Sequence, residues 1–156
     1  MVGESYPGAA DALIITEPEL DCIVRHLRQA LPNEGVGLIG VERIERGGMV
    51  VAHSRRFYPG SNTRASPTRY EMDAHDLIAA LRDIDRQGWE LGAIVHSHPV
   101  GPATPSTTDI AEFFYPEALL VIASFAELTV DVQAWKLEHA GATWGPQTVP
   151  IRHRAD

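Results

Sequence analysis

The chain has 156 residues, 44% of them hydrophobic and 22% charged, which is ordinary for one globular domain with a substantial core. Thirteen basic against twenty-one acidic residues give a formal charge of −8, which argues against a large nucleic-acid or anionic-membrane surface. A single cysteine, Cys22, excludes an intramolecular disulfide and a cysteine-rich metal site.

Residues 1–11 are small and polar and read as a loose N-terminal tail, with neither the basic region nor the apolar run of a secretory signal. No apolar stretch reaches membrane-spanning length, so a cytoplasmic enzyme is expected. Leu13-Ile14-Ile15 is a short strand. Thr16 and Glu19 form a capping-box pattern, and Leu20, Ile23, Val24, Leu27 and Leu31 follow at helical spacing until Pro32-Asn33. Gly35 to Ile44 reads as a strand, Gly47-Gly48 as a turn, and Met49 to Phe57 as the returning arm of a hairpin.

Residues 58–68 are a loop rich in turn formers, and Tyr70-Glu71-Met72 has the character of a short strand. Asp73 caps a helix that carries Leu77, Ile78, Leu81 and Ile84 on one face and stops at Gly88. Glu90 to His98 is a strand, residues 99–106 a loop with three prolines, and Thr107 to about Tyr115 a helix. Leu119 to Ala123 and Val130 to Leu137 are further strands; His139-Ala140-Gly141 turns into a last, weak one. One domain over 12–150 is expected, a mixed sheet with helices packed on it, and 151–156 as a C-terminal tail.

The chemistry concentrates at His96-Ser97-His98-Pro99. In a strand, residues i and i+2 share a face, so the two imidazoles converge while Ser97 faces away. Asp109, eleven residues past His98, adds a carboxylate, and three N/O ligands with a fourth position for water is the arrangement of a catalytic zinc site. The other five histidines lie in surface-like contexts with no partner pattern. Ser106-Thr107-Thr108-Asp109 is equally a capping box, and the two readings are compatible: a first-turn carboxylate is held rigidly and can still face the strand end. Glu34 is the candidate base, although a glutamate in a turn before a strand is by itself more simply a solvated loop residue.

HSHP, six residues, then S-x-x-D resembles the motif of the JAMM (MPN-plus) metalloprotease family, and LPNEGVGLIG resembles the strand that carries that family's catalytic glutamate. The stretch Asn62 to Asp73 is similar as well, and the likeness spans roughly residues 12–138. It implies a cytidine-deaminase-like α/β/α fold with His96, His98 and Asp109 holding zinc and a water. Glu34 would be the general base and Ser106 would stabilise the tetrahedral intermediate. The family's Cys-Gly pair is Val36-Gly37 here, a departure at a non-catalytic position; Gly37 stays where a close backbone approach is expected.

The resemblance implies a substrate of ubiquitin-like or sulfur-carrier type, cut after an extended Gly-Gly tail. The loops 58–70 and 99–105 are the expected walls of its channel. A RadC-like zinc hydrolase, a non-catalytic or partner-dependent scaffold, and a metal-free binding module are the alternatives that the sequence leaves open.

Overall fold

The computed structural model describes residues 8–140 and 143–155. The chain runs β1 (Ala12–Ile15), α1 (Glu17–Ala30), β2 (Val36–Arg46), β3 (Met49–Gly60), α2 (Ala74–Gln87), β4 (Glu90–His98), α3 (Thr107–Ala111), β5 (Leu119–Ser124), β6 (Asp131–Ala140), β7 (Thr143–Val149), β8 (Ile151–His153). All eight strands form one mixed sheet in the order β7-β6-β5-β4-β2-β3-β1-β8. β1 pairs in parallel with β3 and β8, and β4 with β5; the remaining pairs are antiparallel.

β7 and β8 stand at opposite ends of that order, yet only Pro150 separates Val149 from Ile151. The sheet must therefore curl until its two ends meet. Contacts across the seam agree: Leu13 N–H donates to the Pro150 carbonyl at 3.0 Å, and Lys136 of β6 reaches Asp11, just before β1, at 3.2 Å.

Strand alternation sorts the apolar residues onto two faces. The inner cluster draws on nearly every strand, with Leu13, Ile15, Ile39, Val41, Val95, Val121, Ala134 and Val149, and Ile23 and Leu27 of α1 fill it. Leu38, Leu91 and Ile94 face outward against Ala80 and Ile84 of α2, and Leu120 and Ile122 pack outward with Ala103. Helices thus lie on both faces of one sheet. The finding is a mixed α/β fold built on a curled, barrel-like sheet.

Local signals act as their residue types require. Thr16 caps α1 by accepting from Glu19 N–H at 3.2 Å, but the Glu19 carboxylate turns to Arg154, so half of the expected capping box forms. Asp73 accepts from Asp76 N–H, and α2 ends at Gly88 in the left-handed region, where a side chain would be strained. A Cβ on Gly37 would lie 2.5 Å from the Phe57 ring and 2.8 Å from the Tyr58 carbonyl, so the close approach expected there is real.

Three expectations need correction. Residues 1–7 lie outside the described residues, but Ala10 is buried and Asp11 exchanges two hydrogen bonds with Val50. The chain is therefore anchored before residue 12. Residues 151–153 are a strand rather than a tail, because β1 offers an open edge that β8 completes. The helix at Thr107 ends at Ala111, four residues early: Phe113 and Tyr115 turn in against the Leu38–Ile94 cluster, and Pro116 disfavours helical geometry at Tyr115. The turn expected at Gly141 lies outside the described residues.

Candidate metal and proton-transfer site

Val36 pairs with His96 across β2 and β4, so the residues just before β2 meet the C-terminal end of β4. That register brings together positions far apart in sequence. Gly35 N–H donates to Ser97 Oγ at 2.7 Å, and Ser97 N–H donates back to the Gly35 carbonyl at 3.2 Å. Ser97 faces away from the histidines, as alternation requires, and in doing so it ties the Glu34 segment to β4.

His96 and His98 lie on the outer face with Ile94. Their Nε2 atoms are 3.1 Å apart, and Asp109 Oδ2 lies 3.1 Å from the first and 3.0 Å from the second. All three residues are buried, and they form a group able to hold a metal ion. The ring of His98 is oriented by Nδ1, which donates to the Pro102 carbonyl at 2.7 Å and so turns the Nε2 lone pair to the site. Tyr70 stacks on His96 with ring centroids 4.4 Å apart.

Asp109 is held by the capping box that the sequence contains. Ser106 Oγ accepts from Asp109 N–H at 3.0 Å, and Ser106 N–H donates to Asp109 Oδ2 at 2.9 Å. The same carboxylate oxygen also faces both imidazoles, so capping and convergence coexist in one residue.

Burial lowers the pKa of His96, outweighing its bond to Asp109. For His98 burial acts in the same sense, but the bonds to Asp109 and Pro102 prevail and its pKa is raised. Burial works to raise Asp109, yet its bonds from the two imidazoles hold it far below the ordinary range. The donor chemistry fits a divalent cation of borderline softness: two imidazole nitrogens and one carboxylate oxygen, preoriented and withdrawn from water.

Glu34 is not a solvated loop residue. It is only 2% exposed, and Oε1 has no hydrogen-bond partner among the described residues. Burial pushes its pKa up to about 7, with His98 opposing and Asp109 adding to the shift. Its backbone is held from both sides by the 61–72 loop: Glu34 N–H donates to the Ser66 carbonyl at 2.8 Å, and its carbonyl accepts from Asn62 Nδ2 at 3.0 Å. The structure therefore gathers His96, His98, Asp109, Ser106 and Glu34 into one region.

Of the two loops expected to wall a channel, one borders a cavity at the site. A cavity of about 530 Å³ adjoins Asp109, bounded by Arg64 and residues 69–72 on one side and by Thr108 and residues 112–115 on the other. The 99–105 loop does not line this cavity. It braces the site from behind, where the Gly101, Pro102 and Ala103 carbonyls accept from Ser124, His98 and Trp135. His26 is also not a bystander: Nε2 lies 3.0 Å from the Val36 carbonyl and 3.1 Å from that of Gly60, and its ring meets Phe57 edge-on. Asn62, Tyr70 and Pro102 lie in stretches the sequence pointed to, but their individual contacts were not legible, because a bond to a distant backbone carbonyl or a ring stacked on a distant imidazole leaves no local pattern.

Residues 16–138 match the family model described as prokaryotic homologs of the JAB domain. That span includes the two histidines, Asp109, Ser106 and Glu34, and the chain belongs to this family, as the HSHP pattern led one to expect. A Thermus thermophilus protein named as a probable TtuB-protein conjugate cleaving protease is 39% identical over 110 residues, 68% of each chain. A Mycobacterium bovis protein named as a CysO-cysteine peptidase is 29% identical over 118 residues, 75% of this chain and 76% of its own. The solution structure of DSY2949 from Desulfitobacterium hafniense superposes with a TM-score of 0.78 at 29% identity, covering 93% of this chain and 94% of the other.

Proposed function

We propose that this chain is a cytoplasmic zinc peptidase that hydrolyses the amide after the C-terminal Gly-Gly of a ubiquitin-like or sulfur-carrier protein. The observation that carries the reading is the buried Glu34 carboxylate, its Oε1 without a partner among the described residues, beside a converging His-His-Asp set. A metal-binding strand alone has no use for a costly buried carboxyl group. The names of the two relatives, which describe cleavage of a TtuB conjugate and of a CysO-cysteine bond, support the substrate class. Under this reading the layering of helices on both sheet faces is of the cytidine-deaminase-like type.

His96 Nε2, His98 Nε2 and Asp109 Oδ2 would hold the ion. Zn²⁺ bound there supplies a Lewis acid that acidifies water and polarises the scissile carbonyl. Glu34 takes the proton of the attacking water and returns it to the leaving amine, the general acid–base role a positioned carboxylate can fill. The hydroxyl of Ser106, whose lone pair is engaged by Asp109 N–H, retains its O–H to donate to the oxyanion. An extended tail lying in the cavity beside Asp109 would bring its terminal glycine next to that carboxylate.

The test is incubation of the zinc-loaded protein with a Gly-Gly-tailed carrier fused to a short peptide, followed by mass spectrometry. Release of the carrier ending at Gly-Gly is expected. An intact fusion, with zinc shown to be bound, overturns the assignment.

A further inference from the structure

The 61–72 loop reaches the site at two points, and a single side chain joins them. Asn62 uses every hydrogen-bonding position of its amide. Nδ2 donates to the Glu34 carbonyl at 3.0 Å and to the Arg69 carbonyl at 2.9 Å. Oδ1 accepts from Arg64 N–H and from Glu71 N–H, each at 3.0 Å. The two donors face carbonyls and the oxygen faces amides, so the orientation of the amide is fixed by its partners.

The two halves of this amide do different things. The oxygen shapes the loop, folding Arg64 and Glu71 round residue 62, and Thr63 N–H closes the same turn on the Glu71 carbonyl. The nitrogen leaves that turn. It crosses to Glu34, whose N–H is already held by Ser66 of the same loop, and to Arg69, the neighbour of the Tyr70 ring that lies flat on His96. One donor group thereby fixes the backbone from which the Glu34 carboxyl projects and seats the ring covering a histidine. Glu34 Oε1 has no hydrogen-bond partner among the described residues, so the place of the carboxyl depends on the backbone that carries it, which Asn62 holds together with Ser66 and the Gly35–Ser97 pair.

We propose that Asn62 is a positioning residue for proton transfer, acting through the Glu34 backbone. This rests on the peptidase reading of Glu34. Asn62 touches no reacting atom; it sets where the base stands, and displacement of a catalytic group by about 1 Å costs on the order of 100-fold in rate.

The decisive variant is Asn62→Asp, which keeps an acceptor for Arg64 and Glu71 and removes both donors. Asn62→Ala, which removes all four bonds, is the companion. With the Gly-Gly carrier fusion as substrate, Asn62→Asp is expected to lower kcat by about 10–100-fold. KM and zinc affinity stay close to those of the unaltered protein, while the thermal midpoint falls by a few degrees for the two donor bonds lost. In a Glu34→Gln background the same change is expected to cost little further, because the residue it serves is already gone.

Full kcat in Asn62→Asp, with Glu34→Gln inactive, overturns the proposal and leaves the peptidase reading standing. An equal fall in kcat in both backgrounds also overturns it, since the effect then bypasses Glu34. A rise in KM alone assigns Asn62 to substrate binding and overturns it too. If the unaltered protein cleaves nothing, or Glu34→Gln retains full turnover, the peptidase reading fails first and this proposal with it.

Discussion

Glu34 carries two opposed demands. A base must ionise, and burial resists ionisation; the result is a pKa near 7 instead of 4.5. In the unfolded chain the carboxyl loses its proton near 4.5, whereas in the metal-free fold it keeps it until about 7. Between those values the folded state binds more protons, so its stability falls as pH rises and levels off above 7. Glutamine does not titrate. Glu34→Gln should therefore gain stability relative to the unaltered protein between pH 5 and pH 8, read as a widening gap in thermal midpoint with metal chelated. Parallel profiles would show that Glu34 is solvated after all. In the zinc-loaded protein the same variant should retain the metal and lose about 10²–10⁴-fold in kcat. His98→Ala should fail differently, weakening zinc binding by more than the roughly 10–100-fold typical of losing an outer partner. Titration with a chromophoric chelator separates the two.

At the scale of elements, α3 is where one residue pair serves two ends. Its five residues are too few to hold a helix by propensity, so the Ser106–Asp109 box both starts the turn and fixes the carboxylate. Ser106→Ala should cost about 1 kcal/mol through loss of the cap, while Ser106→Gly should cost only a few tenths. Both lack the hydroxyl. If Ser106 also donates to an oxyanion, the glycine variant should be nearly as stable as the unaltered protein yet about 10²–10³-fold slower. Near-normal turnover in Ser106→Gly would reduce Ser106 to a cap. This element also shows how far the sequence can be read. The S-x-x-D pattern and the HxH spacing are local, and both acted as their spacing demands. The early end of α3 came from Phe113 and Tyr115 seeking the Leu38–Ile94 surface, a tertiary preference that no local pattern records. Glu34 lies between these cases: its turn looks solvated, and only the register of β2 on β4 buries it.

For the whole molecule, the order of the strands matters more than their number. β1 to β6 were visible as apolar runs and β7 only as a weak strand, but the curl was not, because it depends on Pro150 joining the two ends of the sheet. The short segment after Pro150 has few apolar residues and reads as a tail; in the fold it covers the outer edge of β1, through pairs Leu13↔Ile151, Ile14↔Arg152 and Ile15↔His153. Arg154 extends the seam by donating to the Ser54 carbonyl at 2.6 Å. Three ladder positions at about 1 kcal/mol of net hydrogen bonding each come to roughly 3 kcal/mol. For a chain of this size that corresponds to a fall of about 6–12 °C in thermal midpoint. Ending the chain at Pro150 should therefore destabilise it by this amount, measurable by calorimetry, and expose β1 as an edge open to pairing with another chain. The site at the far end of β4 is built from β2, β4, α3 and the 61–72 loop, so zinc affinity below the new midpoint should be unchanged. An unaltered midpoint would mean that β8 contributes nothing to closing the sheet. A parallel loss of zinc affinity would mean that closure tensions the β2–β4 register on which Glu34 and the histidines depend.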